Sequence, residues 1–319
     1  MKKIKIVVTG GAGFIGSHVA EYWVNRGAEV HIIDNLSTGF LNNVPDSESV
    51  HFYKGSITNY KLLEEIVEGA NYIFNFAAMV SVPESILKPK ECVENNVIGI
   101  LNILEAAKKF NVKKVVHSSS AAIYGDDPAL PKYTNMKPEP KSPYGITKLD
   151  GEYYCRMYYE NFGLKTISLR YFNVFGPRQN PKSQYAAVIP IFISNALVNK
   201  PVEIFGDGKQ TRDFIYVNDV VRANITAVEN EETCGVFNVA NGVSLSVLEL
   251  ANLIIKETGS KSKIIFSSER SGDIKHSLAS TEETKVKLGF IPRHNLTKGL
   301  RETISYFSSR FKVNAKNDD

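Results

Sequence analysis

"VTGGAGFIGSH" (residues 8–18) sets glycines at Gly10, Gly13 and Gly16 between a β-branched run, "IKIVVTG" (4–10), and an apolar-periodic segment at 14–26. This spacing predicts a strand that turns sharply into a helix, with backbone free to approach a pyrophosphate at the helix N-terminus. Alone the glycines are a weak sign. Their place between a first strand and a first helix makes them a strong one. The second run, "EVHIID" (29–34), ends on Asp34 and opens "DNLSTG". A carboxylate there accepts hydrogen bonds from a ribose diol and repels a 2′-phosphate, so the expected cofactor is NAD rather than NADP. The competing reading of Asp34, an acidic residue in an ordinary loop, fits this context poorly.

Working outward, further strand-like runs appear at "VHFYKG" (50–55), "YIFNFA" (72–77), "KKVVHSS" (113–119) and "LKTISLRYF" (164–172). Helix-like segments lie between them, notably at 60–69, 95–110 and 143–162. Apolar strands alternating with helices predict an α/β fold with a doubly wound parallel sheet of the Rossmann type. Beyond residue 172 the pattern changes. The stretch 175–190 reads as a long loop, "GDGKQTRDFIYVNDVV" (206–221) as a short strand and a helix, and "GVFNVAN" (235–241) as another sheet strand. Helices are expected at 246–258 and 281–287 around a strand near 263–266, and only "NAKNDD" looks disordered. The expected division is an NAD-binding domain, 1–175 plus about 213–242, and a smaller interleaved α/β lobe, about 176–212 plus 243–319, that holds the substrate.

The chain has 319 residues, of which 43% are hydrophobic and 23% charged, an ordinary globular balance that needs no disulfide or metal to build a core. Net charge is 38 − 34 = +4 without a long basic run, which gives no support to a nucleic-acid or membrane partner. Cys92, Cys155 and Cys234 show no metal spacing, and no metal site is expected. The apolar run after the first lysines is too short for a signal peptide, and no stretch could span a bilayer. "NIT" and "NLT" are read as chance glycosylation matches. A cytoplasmic protein is expected.

"HSSSAAIYG" (117–125) ends the fifth strand, at the edge where doubly wound sheets place ligands. "SPYGITK" (142–148) starts a helix with Ser142 as N-cap and Pro143 in the first turn, which puts Tyr144 and Lys148 on one face. A packed tyrosine beside a solvated lysine is the bland reading. The chemical one is a base. A phenol titrates near ~10, and a lysine ammonium plus a nicotinamide cation would favour the phenolate. Reaching about 7 takes roughly 4 kcal/mol of differential stabilisation. Ser120 would hydrogen-bond the same substrate hydroxyl and relay its proton.

These stretches, together with "RYFNVFGPRQNP" (170–181) and "RSGDIKHS" (270–277), resemble the extended short-chain dehydrogenase/reductases over nearly the whole chain. The likeness is to their nucleotide-sugar 4-epimerases, and most to those acting on UDP-N-acetylglucosamine. The resemblance implies Tyr144 as base, Lys148 on the nicotinamide ribose and Ser120 on the sugar O4. It implies NAD contacts at Gly10, Gly13, Phe14, Ile15, Gly16, Asp34, Asn35, Ser37, Gly39, Ile57, Asn95 and Tyr171. Two positions depart from it: Ser56 stands where an adenine-binding carboxylate is common, and Asn75 where a histidine is usual. A homodimer is also implied, with helices 95–110 and 143–162 pairing across a two-fold axis.

On the substrate side, Arg212 and Arg270 match diphosphate-binding positions, where rigid cationic forks are needed. A lone arginine would otherwise be read as a surface ion pair. Asn173, Ala187, Val188 and Phe205 match positions around the diphosphate and uracil, and Asp273 one near the nucleotide ribose. Ser277 stands where a bulky tyrosine accompanies restriction to non-acetylated sugars, so a UDP-N-acetylhexosamine is the expected substrate, with Ser81 and Gln179 helping to line the pocket. Ala121 and Ala122 follow Ser120, so the ionisable pair that dehydration would need is missing. The alternatives are epimerisation of UDP-glucose or of a UDP-uronic acid, and, outside catalysis, an NAD-binding sensor.

Overall fold

The computed structural model describes residues 3–181, 187–269 and 274–317. Its first strand β1 (Lys5–Thr9) runs into the glycine turn and helix α1 (Phe14–Asn25), then β2 (Glu29–Asp34) and β3 (Val50–Lys54). Helix α2 (Tyr60–Val67), β4 (Tyr72–Asn75), α3 (Val82–Leu87) and α4 (Pro89–Val93) follow. A π turn at Glu94–Ile98 joins α4 to α5 (Gly99–Lys109), and β5 (Lys114–Ser120), α6 (Pro143–Phe162) and β6 (Thr166–Tyr171) complete the alternation.

The remaining elements are β7 (Asn173–Phe175), α7 (Val188–Leu197), β8 (Val202–Phe205), β9 (Thr211–Tyr216), α8 (Val217–Glu229), β10 (Gly235–Val239), β11 (Ser244–Ser246), α9 (Val247–Thr258), β12 (Ile264–Ser267) and α10 (Leu296–Asn317).

Seven strands form one sheet in the order β3-β2-β1-β4-β5-β6-β10, every neighbouring pair parallel. The strands are nearly continuous apolar runs because both faces are covered. One face packs Ile6, Val8, Val30 and Ile32 against α1 and α8, and the other packs Val7, Ile33, Ile73 and Val115 against α2, α5 and α6. The chain reverses its direction of winding between β1 and β4, which opens a crevice at the carboxyl ends of the strands. The doubly wound architecture expected from the sequence is the one observed.

Beyond β6 the chain builds two small sheets, β7-β9-β11 and β8-β12, around a third core of Phe175, Phe192, Ile204, Phe214 and Leu250. Helix α7 has no counterpart among the helices expected from the sequence. Its "VIPIFISNAL" is apolar nearly all round, so no amphipathic stripe announces it, and Ile189, Phe192 and Ile193 are buried. Helix α10 is likewise additional, and it runs to Asn317, into the stretch expected to be disordered. Strand β8, with only four residues, is too short to stand out as a pattern. Among the described residues no helix is long and apolar enough to cross a membrane.

Candidate active site

The glycine turn has no room for side chains. Gly10 adopts φ +67° and donates to the Ile33 carbonyl at 2.8 Å, tying the ends of β1 and β2 together. A Cβ on Gly10 would lie 2.7 Å from the Ala77 nitrogen, and one on Gly16 would lie 2.3 Å from the Gly10 oxygen. Helix α1 starts behind this turn with Gly13 as N-cap and no capping side chain. The N–H groups of Phe14 and Ile15 therefore stay available to an anion.

Asp34, 7% exposed, accepts from Ala12 N at 3.0 Å and Leu36 N at 2.8 Å, which fixes its carboxylate beside the turn. The 35–40 loop folds back, with Phe40 N donating to Ala12 O at 3.0 Å and Gly39 packed on Asp34. Asn35 accepts from Ser37 N at 3.0 Å on the outside of this loop. A glycine cradle, an uncapped helix end and an adjacent carboxylate together fit a dinucleotide. Ile57 is buried against Gly99, and Ser56 makes only a local turn, bonding Thr58 Oγ1 at 2.8 Å. Asn75 accepts from Thr9 Oγ1 at 2.7 Å and its amide meets His117 Nδ1 at 3.2 Å, a buried polar chain beneath the crevice.

Helix α6 begins as its sequence predicts, with Ser142 Oγ accepting from Gly145 N at 3.1 Å and Pro143 in the first turn. Tyr144 is thereby brought to Ser120, at the end of β5. Burial pushes the Tyr144 phenol up, a hydrogen bond from Ser120 pulls it down, and the neighbouring Cys92 thiol adds to the rise. Lys148 lies 5.8 Å from the centre of the Tyr144 ring and donates to the Ser118 carbonyl at 2.7 Å. It is 3% exposed, and burial lowers its ammonium to about 8, only partly offset by Cys92.

In the protein alone burial is the largest influence on the Tyr144 phenol, and the nicotinamide cation that the expectation also counts on comes only with bound NAD.

Asn95 does not reach this cluster. Its side chain is half-buried and donates to the Glu91 carbonyl at 3.0 Å. The π turn carries the next residue inward instead. Asn96 accepts from Met79 N at 2.8 Å and donates to Thr147 Oγ1 at 2.9 Å, one position before Lys148. Asn96, Thr147 and Ser118 are absent from the residues expected on sequence grounds. Spacing offers one signal for them, since Cys92 and Asn96 are four apart on the helix that faces Tyr144 and Thr147. Tyr171 ends β6 with its hydroxyl donating to Asn224 at 3.0 Å, in the core under the crevice.

The substrate-side residues fall in two groups. Asn173 donates to the Asp213 carbonyl at 3.0 Å, and Arg212, next along β9, donates to Thr211 O at 2.9 Å. Ser277 N bonds Thr211 O at 3.1 Å, so its segment runs beside Arg212. Asp213, fully buried, accepts from the N–H groups of Asn241, Gly242 and Ala279, and burial raises it to about 6. It pins the segment that carries Ser277.

Gln179 donates to Val174 O at 3.2 Å while its own buried oxygen has no partner among the described residues. Ala187 and Val188 form the uncapped start of α7, and Phe205 ends β8. Ser81 caps α3, accepting from Glu84 N at 3.2 Å. Arg270 and Asp273 lie outside the described residues.

Residues 6–240 match the NAD dependent epimerase/dehydratase family. A putative UDP-glucose 4-epimerase of Methanocaldococcus jannaschii is 37% identical over 308 residues, covering 95% of this chain and 98% of that one. A UDP-N-acetylglucosamine 4-epimerase of Methanobrevibacter ruminantium, solved with UDP-N-acetylmuramic acid, superposes with TM-score 0.93 at 42% identity, covering 97% of this chain and 100% of that one. A UDP-glucose 4-epimerase of Thermus thermophilus, solved with NAD, gives TM-score 0.87 at 34% identity, covering 95% and 99%. With this match and these likenesses, the chain belongs to the NAD dependent epimerase/dehydratase family and, within it, to the NAD-dependent UDP-sugar 4-epimerases.

Proposed function

We propose that the protein interconverts UDP-N-acetylglucosamine and UDP-N-acetylgalactosamine at C4, with Tyr144 as the base. The observation that carries the chemistry is the Tyr144 phenol beside Ser120, with the Lys148 ammonium 5.8 Å from its ring centre. NAD, when bound, would supply the hydride acceptor for C4 and the donor for return of that hydride to the opposite face. Tyr144 takes the proton of the 4-hydroxyl and gives it back, and Ser120 orients that hydroxyl. Lys148, anchored on Ser118, presents its remaining N–H groups to the nicotinamide ribose and holds positive charge near the phenolate as it forms. Gly10, Phe14, Ile15, Asp34 and Gly39 hold the adenosine diphosphate half.

Between the large sheet and the lobe after residue 175, Arg212 faces the substrate diphosphate, with Asn173, Ala187, Val188 and Phe205 around the nucleotide. The sugar preference rests on Ser277, whose small side chain beside Arg212 leaves space for an acetamide. The likeness to the Methanobrevibacter enzyme supports this reading, and the UDP-glucose relatives stand against it. The test is turnover of both sugars by the wild type and by Ser277→Tyr. Loss of the acetylated substrate with retention of UDP-glucose is expected, and equal activity on both by the variant would remove the assignment.

We also propose a homodimer through α3–α5 and α6. Ile86, Leu87, Val93, Ile98, Ile146 and Tyr153 are exposed there, an apolar surface uncommon on a monomer.

A further inference from the structure

Far from the crevice, at the amino end of β2, Glu29, His31 and His51 converge. The strand register explains how. Glu29 and His31 are two apart and share one face of β2, and His31 pairs directly with His51 on β3. His31 Nε2 lies 2.7 Å from Glu29 Oε1, His51 Nε2 lies 3.4 Å from the same oxygen, and all three atoms fall within 4.8 Å of one another. Among the described residues, no other group of three such side chains comes this close.

We propose that Glu29, His31 and His51 bind a single borderline divalent metal ion, Zn²⁺ foremost, through one carboxylate oxygen and two imidazole Nε2 atoms. Bonds of about 2.1 Å in a tetrahedral site place neighbouring ligand atoms about 3.4 Å apart. The Glu29–His51 separation already matches, and the Glu29–His31 contact must open by about 0.7 Å. Two imidazoles and a carboxylate with one open position are a familiar zinc donor set, and oxygen-only ions such as Mg²⁺ fit it poorly.

The surroundings suit this role. Tyr53, on the same face of β3, meets His31 Nδ1 at 3.1 Å. A hydroxyl both donates and accepts, so it serves either neutral tautomer. With Nε2–H donating to Glu29, Tyr53 donates to Nδ1. With the proton on Nδ1, Tyr53 accepts it and Nε2 is bare for the metal. No net proton leaves the ring in that exchange. His51 and Glu29 are 45% and 39% exposed, which gives the ion access and leaves its open position to water. Lys5, the opposing cation on β1, aims its ammonium at the Glu68 carbonyl at 2.8 Å.

The ion would clamp the sheet's edge strand β3 to β2. His31 is three residues, about 10 Å, from Asp34 at the cofactor end, so the clamp acts on stability and not on turnover. No spacing pattern along the chain announces such a site, because twenty residues separate the histidines and only strand register joins them.

The test is titration of the purified holoenzyme with Zn²⁺ by calorimetry, and with Co²⁺ by visible absorption. The expected result is one equivalent bound with four-coordinate Co²⁺ bands, and a melting temperature raised by about 4 °C at 100-fold excess over Kd. His51→Ala should lose both the heat and the bands while melting like wild type in EDTA and keeping its sugar turnover. Tyr53→Phe should weaken binding by roughly 10-fold. Absence of binding to the wild type, or undiminished stoichiometric binding by His51→Ala, would overturn the proposal.

Discussion

Replacing Lys148 by Met should stabilise the cofactor-free protein while abolishing its chemistry. The Lys148 ammonium is 3% exposed, and burial lowers it from the ordinary 10.5 to about 8. At about 1.4 kcal/mol per decade of proton affinity, that shift corresponds to about 3 kcal/mol against the folded state at pH 7. The sign follows from proton counting. Between pH 8 and 10.5 the unfolded chain holds the Lys148 proton more firmly than the folded one, so this residue makes wild-type stability rise with pH through that window. Methionine fills similar volume without the charge, and it gives up the 2.7 Å bond to Ser118, a loss of about 1 kcal/mol.

The variant should therefore be more stable by about 2 kcal/mol at pH 7. That advantage should vanish, and reverse slightly, by pH 10.5. Urea unfolding of both proteins, stripped of dinucleotide, at pH 7, 9 and 10.5 measures it. A gain that does not change with pH, or a less stable variant at pH 7, would refute the reasoning.

Asn96→Ala removes bonds to Met79 and Thr147 from the buried side of the Tyr144 helix, so it should cost about 1–3 kcal/mol in stability and lower kcat. Asn95→Ala, which removes only a bond to the Glu91 carbonyl on the outer side of the same turn, should leave both within error, and the two variants compared by urea unfolding and turnover separate the positions. Leu87→Asp places a charge on a residue 74% exposed in the proposed pairing face, so light scattering should show the mass of a single chain where the wild type shows two. A wild type that already scatters as one chain would remove the dimer.

Much of this is legible in the sequence, for reasons tied to particular residues. The glycine turn and Asp34 can be read because their geometry is local: a strand, three glycines and a helix start all lie within one short stretch. Ser142 and Pro143 announce α6 for the same reason, and with it the Tyr144–Lys148 face. What escapes depends on contacts between distant segments. Asn95 and Asn96 are chemically identical in the sequence, and only the π turn decides which one faces Thr147.

Helix α7 hides because it is buried on most sides and so lacks polar periodicity. The burial that raises the Tyr144 phenol and the bond that ties Lys148 to Ser118 are reported by no motif, because both depend on how β5 and α6 pack.

The central claim is that the Tyr144 phenol exchanges the proton of the sugar's 4-hydroxyl. Tyr144→Phe keeps the ring and its burial and removes only the oxygen. The decisive measurement is the single-turnover rate of C4 inversion by this variant, with NAD occupancy checked alongside. The account predicts a rate lower by roughly 10²–10⁴-fold at unchanged NAD occupancy. Inversion at the wild-type rate would contradict it.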